Sequence, residues 1–319
     1  MDARLDELEF SGVAVVTGPS GVQFSRCWGL ADRAAGIANS PGTRYGLASV
    51  TKMFTAVAVA RTVPDLQAPV VSLLPPERRP ATLRPDVTVH HLLCHTSGVA
   101  DYAEEEGEEA VEYADLWAAR PCYTMTRPAD FLPLFGDLPP YFPPGDRWRY
   151  SNAGYVLLGL IVEELTGEPY TDAVERLVFR PAGMAGSGFF RLDEPRPDVA
   201  VGYLPSGRSN VYSVPVVGGA DGGAFSTAAD LDRFLRAYGE LTGDRHELML
   251  TPHVPLDRGI DMGYGAFLYG DGRFGHGGGD PGVGALIQRL PGPDATVVVL
   301  ANTEDSVVAV RDILVEALV

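Results

Sequence analysis

Lysine is all but missing from this chain. Of 25 basic side chains in 319 residues, 24 are arginine and one, Lys52, is lysine. Positive charge is scarce altogether. The 42 acidic residues bring the formal net charge to −17, which argues against nucleic acid or an anionic membrane surface as partner, since both need a basic face. Cysteine is equally sparse. Cys27, Cys94 and Cys122 are odd in number and lack paired spacing, so three buried free thiols are expected in place of a disulfide framework. No apolar run approaches the ~20 residues of a membrane span. The opening "MDARLDELEF" has neither the basic nor the apolar region of a secretory signal, so a cytoplasmic location is expected.

What is present sorts into strands at the two ends and helices between them. "GVAVVTGPSGVQFSRCWGLAD", from Gly12, predicts two strands joined at "GPSG", and "VGALIQRLPGPDATVVVLAN" predicts two more around "PGPD". "SNAGYVLLGLIVEELTGEPY" is the clearest helix, with apolar residues at helical spacing and Gly167 as its stop. "STAADLDRFLRAY" opens on a Thr227 to Asp230 capping pair, and "EDSVVAVRDILVEALV" closes the chain as an amphipathic helix. The expected organisation is an α/β sheet domain assembled from residues 1–62 and 208–319, a mainly helical lobe over 63–207, and an active site between them. The acidic run Glu104 to Glu109 is expected to be a solvated loop.

The lone lysine stands three residues after a serine in "RYGLASVTKMFTAVAVARTV". Residues i and i+3 share a helical face, so the Ser49 hydroxyl and the Lys52 amine can meet. If Ser49 begins the helix, free backbone N–H groups and the positive end of the helix dipole face its oxygen. An amine can give up its proton and act as a base, which a guanidinium cannot. Two other patterns carry less. In "HHLLCH", His91 and His95, and likewise His90 and Cys94, are four apart, which suits a metal on a helix. No glutamate completes an H-E-x-x-H arrangement, so no metal site is expected. "GGGDPG", from Gly277 to Gly282, spells G-x-G-x-x-G but runs into Pro281 and a strand-like segment rather than opening a helix. A dinucleotide site is therefore not expected.

Three motifs in order, "SVTK", "YSN" at Tyr150 to Asn152 and "HGG" at His276 to Gly278, together with "TVHHLLCHTSGVADY" and "GGAFSTAADLDRFL", resemble the serine β-lactamase-like enzymes. That family includes class C β-lactamases, DD-carboxypeptidases, D-aminopeptidases and related esterases, and the likeness runs from about Gly12 to the end. It implies a two-lobed β-lactamase-like (DD-peptidase) α/β fold, with an antiparallel sheet flanked by helices and a mostly helical lobe. It also implies acyl transfer through an ester on Ser49, with Lys52 and Tyr150 handling protons and Tyr150 delivering one to the leaving group. Asn152 is then expected to contact the acyl side-chain amide. His276 stands where β-lactamases usually carry lysine. With Gly278 it is expected to line the substrate site, and to hold an anionic or polar end by becoming charged in mild acid. The backbone N–H groups of Ser49 and Gly279 are the expected oxyanion donors. No metal or organic cofactor is implied. The expected substrate is an ester or a D-amino-acyl amide or peptide. β-Lactamase or DD-carboxypeptidase activity proper is the alternative, and a non-turnover acyl-binding sensor is the reading from another class.

Overall fold

The computed structural model describes residues 2–103, 116–117, 120–304 and 306–317. The acidic run Glu104 to Glu109 lies outside the described residues. Five helices matter below: α1 (Thr51–Thr62), α2 (Val89–Leu93), α3 (Asn152–Thr166), α4 (Ala228–Thr242) and α5 (Val307–Glu316). The N-terminal hairpin is β1 (Gly12–Gly18) with β2 (Gly21–Trp28). The C-terminal segment adds β3 (Val254–Pro255), β4 (Ile260–Met262), β5 (Phe267–Tyr269), β6 (Phe274–Asp280), β7 (Val283–Leu290) and β8 (Ala295–Ala301). All eight join one antiparallel sheet in the order β2-β1-β8-β7-β6-β5-β4-β3.

Side-chain alternation decides what each face of this sheet covers. Val13, Val15, Ile287, Val298 and Leu300 point into the larger core, which contains the buried apolar side chains of α1, α3 and α4. Their neighbours Ala14, Val16, Leu286, Val297 and Val299 point the other way, into a smaller core closed by Leu5, Phe10 and the apolar side of α5. Because both faces are covered, β8 reads as an unbroken apolar run, buried at every position. Every position of the edge strand β2 is exposed or half-buried. That corrects the expectation for the thiols: Cys94 and Cys122 are buried, whereas Cys27 on this edge is only half-buried.

The central helix α1 is buried over Thr51 to Ala60, as expected of a helix that is apolar all round. Phe54 fixes it from within, its ring meeting Phe179 and Phe234 edge-on at 5.1 and 4.7 Å. Helix α3 starts where the Ser151 hydroxyl accepts the Gly154 N–H at 3.0 Å and stops at Gly167, φ 70°. Helix α4 starts in the same way, Thr227 accepting from the Asp230 N–H at 3.2 Å. Among the described residues no helix is long and apolar enough to cross a membrane.

Candidate active site

The starts of α1 and α3 and the strand β6 converge on Ser49. The serine does not open α1 itself. It sits in a single tight turn, Ala48–Val50, that leads directly into the helix. Ala48 enters this turn at φ 45°, a left-handed conformation that costs an alanine about 1–2 kcal/mol. The turn preserves the i, i+3 relation, and Lys52 Nζ lies 3.0 Å from Ser49 Oγ. Ser49 is half-buried and Lys52 is fully buried.

A buried amine needs acceptors, and here they come from distant segments. Lys52 Nζ donates to Asn152 Oδ1 and to the Asp221 carbonyl oxygen, each at 2.6 Å. These bonds turn a third position of the amine toward Ser49. The Tyr150 ring centroid is 4.8 Å from the same nitrogen. Ser49 and Lys52 therefore share one small volume with Tyr150 and Asn152, the last of them 100 positions beyond Lys52 in sequence.

Strand β6 borders the serine turn. A Cβ on Gly278 would lie 2.3 Å from the Leu47 carbonyl oxygen and 2.9 Å from the Ser49 nitrogen, so only glycine permits this approach. β6 pairs with β5 only at Phe274 and Gly275. Beyond them, the edge through Gly279 to Asp280 has no strand partner on that side among the described residues.

His276 differs from its expected behaviour. It is 4% exposed, its Nδ1–H donates to the Gly277 carbonyl at 2.5 Å, and its Nε2 has no hydrogen-bond partner among the described residues. Burial, helped by the Lys52 charge, pushes its pKa down to about 3. The ring therefore stays neutral in mild acid, which corrects the expectation of a cation there. A buried neutral side chain cannot collect a proton merely because its model compound would.

His95 and Asp101 belong to the same cluster, and sequence spacing pointed at neither as part of it. His91 and His95, four apart in sequence, do not share a helix, because α2 ends at Leu93 and His95 lies beyond it at φ 60°. Instead, His95 grips the chain on both sides of Tyr150: its carbonyl accepts the Arg149 N–H at 2.9 Å and its Nδ1 accepts the Ser151 N–H at 3.1 Å. Its ring stacks between Tyr150 at 4.5 Å and Tyr155 at 5.1 Å. Asp101 accepts the N–H groups of Asn152 at 2.5 Å and Ala153 at 3.1 Å, anchoring the start of α3. Burial pushes its carboxyl up to about 7 against those donors. The third contributor, the Asp221 carbonyl, is backbone and leaves no trace in residue type. Among the described residues no group of three His, Cys, Asp or Glu side chains is arranged to hold a metal ion.

The buried histidine makes a stability prediction with a definite sign. Unfolded, His276 takes up a proton near 6.5; folded, it does so only near 3. Its contribution is complete above about pH 6.5 and is lost as pH falls toward 3, amounting to about 2 kcal/mol between pH 7 and 5. Asp101 acts in the opposite sense, since its folded pKa is raised. The contribution is therefore read as a difference: urea midpoints of wild type should fall more between pH 7 and 5 than those of His276→Gln. Equal falls would contradict it.

The family model described as Beta-lactamase matches residues 1–319. The esterase EstB of Burkholderia gladioli is 40% identical over 204 residues, 61% of this chain and 51% of EstB. A D-aminopeptidase of Cereibacter sphaeroides is 30% identical over 196 residues, 60% of this chain and 35% of that protein. The match thus spans about half or less of these two relatives. A penicillin-binding protein from Bacillus halodurans superimposes with a TM-score of 0.93 at 38% identity, covering 100% of this chain and 99% of that one.

Proposed function

From the premise that the chain belongs to the Beta-lactamase family, whose members related to this chain include an esterase and a D-aminopeptidase, we propose that it is a serine hydrolase acting on a small-molecule ester or amide through an acyl-enzyme on Ser49. The observation that carries this reading is the 3.0 Å separation of Ser49 Oγ from a fully buried amine. In the proposed reaction Lys52, in its neutral amine form, takes the hydroxyl proton as Oγ bonds to the substrate's carbonyl carbon. The tetrahedral oxyanion is held by the N–H groups of Ser49 and Gly279, in the gap where β6 passes the serine turn. Tyr150 passes a proton to the leaving alcohol or amine as the old bond breaks and takes its replacement from Lys52, which returns to the neutral amine. Water then attacks the ester carbon by the reverse path and restores the Ser49 hydroxyl. Asn152 orients Lys52 through its side-chain oxygen and stands beside the acyl group.

A fluorophosphonate is expected to label Ser49 alone. Trypsin cleaves after Arg44 and Lys52, releasing "YGLASVTK", the one internal tryptic peptide that ends in lysine. Mass spectrometry should find the adduct there. Label on other peptides, with this one unmodified, would remove Ser49 as the nucleophile.

A further inference from the structure

We propose that Phe190 sets the length of the acyl group that Ser49 accepts, its ring closing a small cavity beside the serine against a larger neighbouring compartment. This deepens the acyl-transfer reading and rests on it. The small cavity measures about 50 Å³ and touches Ser49 and Asn152. Among the described residues its lining includes neither Tyr150 nor His276, which places it opposite the proposed leaving-group side. The neighbouring compartment measures about 330 Å³ and has Val199, Ala200 and Val201 in its wall. Phe190, Leu192, Asn210 and Phe225 line both spaces, so they form the partition between them.

The Phe190 ring is held where it stands. It folds back over Gly188, where a Cβ would come within 3.0 Å of the ring, and the Gly188 N–H and carbonyl both bond to the backbone of Phe225. The Phe225 ring lies 5.8 Å from it, centroid to centroid. Two guanidinium groups approach the same ring, Arg196 at 4.8 Å and Arg44 at 5.5 Å from its centroid, as cation–π partners do. Arg44 is fixed in turn by Asp198 and by the Gly186 carbonyl, which accepts its Nε–H at 2.7 Å. A short apolar acyl group entering the small cavity gains the transfer free energy of leaving water. A long one must push the ring off these contacts, or turn outward and leave its far carbons in water. Either course forfeits part of that gain, so chain length is read at the partition.

The p-nitrophenyl esters of butanoic and octanoic acid test the partition directly. Wild type should favour the butanoate in kcat/KM. Phe190→Ala takes away the ring and joins the two spaces, so the octanoate-to-butanoate ratio of kcat/KM should rise by about tenfold or more, the scale on which apolar pockets tell methylene groups apart. Leu192→Ala opens the same partition and should move the ratio in the same direction. It takes the place of Phe190→Ala if circular dichroism finds that variant unfolded. Because the ratio compares two esters on one enzyme, a general loss of activity leaves it unmoved. A wild type that does not favour the butanoate, or a folded variant whose ratio stays within about twofold of wild type, overturns the proposal. Absence of Ser49-dependent p-nitrophenol release from both esters overturns the acyl-transfer reading itself, and the length selection with it.

Discussion

Replacing Lys52 by arginine is expected to slow acylation of Ser49 by about a thousandfold, in the range that loss of a positioned general base produces. The substitution keeps the positive charge but removes the exchangeable proton. It also removes the fit. The amine is fully buried, with acceptors at 2.6 Å on Asn152 and Asp221 and Ser49 Oγ at 3.0 Å. Those acceptors surround a compact tetrahedral group, and a planar fork of five N–H donors cannot address the same three points. The measurement is the rate of fluorophosphonate labelling of Ser49, made after circular dichroism has established that the variant is folded. Lys52→Met serves as the second variant, with similar length and no proton to exchange. An arginine variant that labels at a tenth of the wild-type rate or faster would return Lys52 to a structural role.

The second large effect is expected from a single methyl group. Gly278→Ala should lower kcat by about a hundredfold, comparable to losing one oxyanion donor. The new Cβ would stand 2.3 Å from the Leu47 carbonyl oxygen and 2.9 Å from the Ser49 nitrogen. Both neighbours are backbone, so neither can rotate away. β6 and the serine turn must separate, and the gap proposed to hold the oxyanion widens. Overpacking of this kind also costs about 1–3 kcal/mol of stability, which a thermal melt would register. Gly279→Ala is the control, because its Cβ would meet nothing within 4 Å. It should melt like wild type. If Gly278→Ala keeps more than half of the wild-type kcat, the close approach of β6 has no catalytic importance.

The parts of this protein legible in sequence are those governed by near neighbours. The apolar, β-branched runs "GVAVVTG" and "ATVVVLA", bounded by turn residues, specified strands, since β-branched side chains favour the extended backbone locally. The caps at Gly167 and Thr227 were equally readable, because each is satisfied within one helical turn. The same holds for the hydroxyl and amine of Ser49 and Lys52, brought together by a spacing of three. The family resemblance extended this to Tyr150, Asn152 and the "HGG" strand, whose joint placement no local rule supplies.

Tertiary structure alone decided what surrounds those groups. The spacing of His91 and His95 said nothing of where His95 goes: α2 stops at Leu93, after which His95 turns to hold Tyr150 from a segment more than 50 residues away. The acceptor from residue 221 is a backbone carbonyl, which every residue type carries alike. The state of His276 was decided in the same way: its identity sets a pKa near 6.5 in water, and enclosure in the core beside Lys52 moves it to about 3. Sequence determined which side chains could exchange protons and which short segments would be helix or strand. Burial, and the acceptors that folding brings from afar, determined which of those protons are available, because the free energy of a charge depends on all the matter around it and not on its neighbours in the chain.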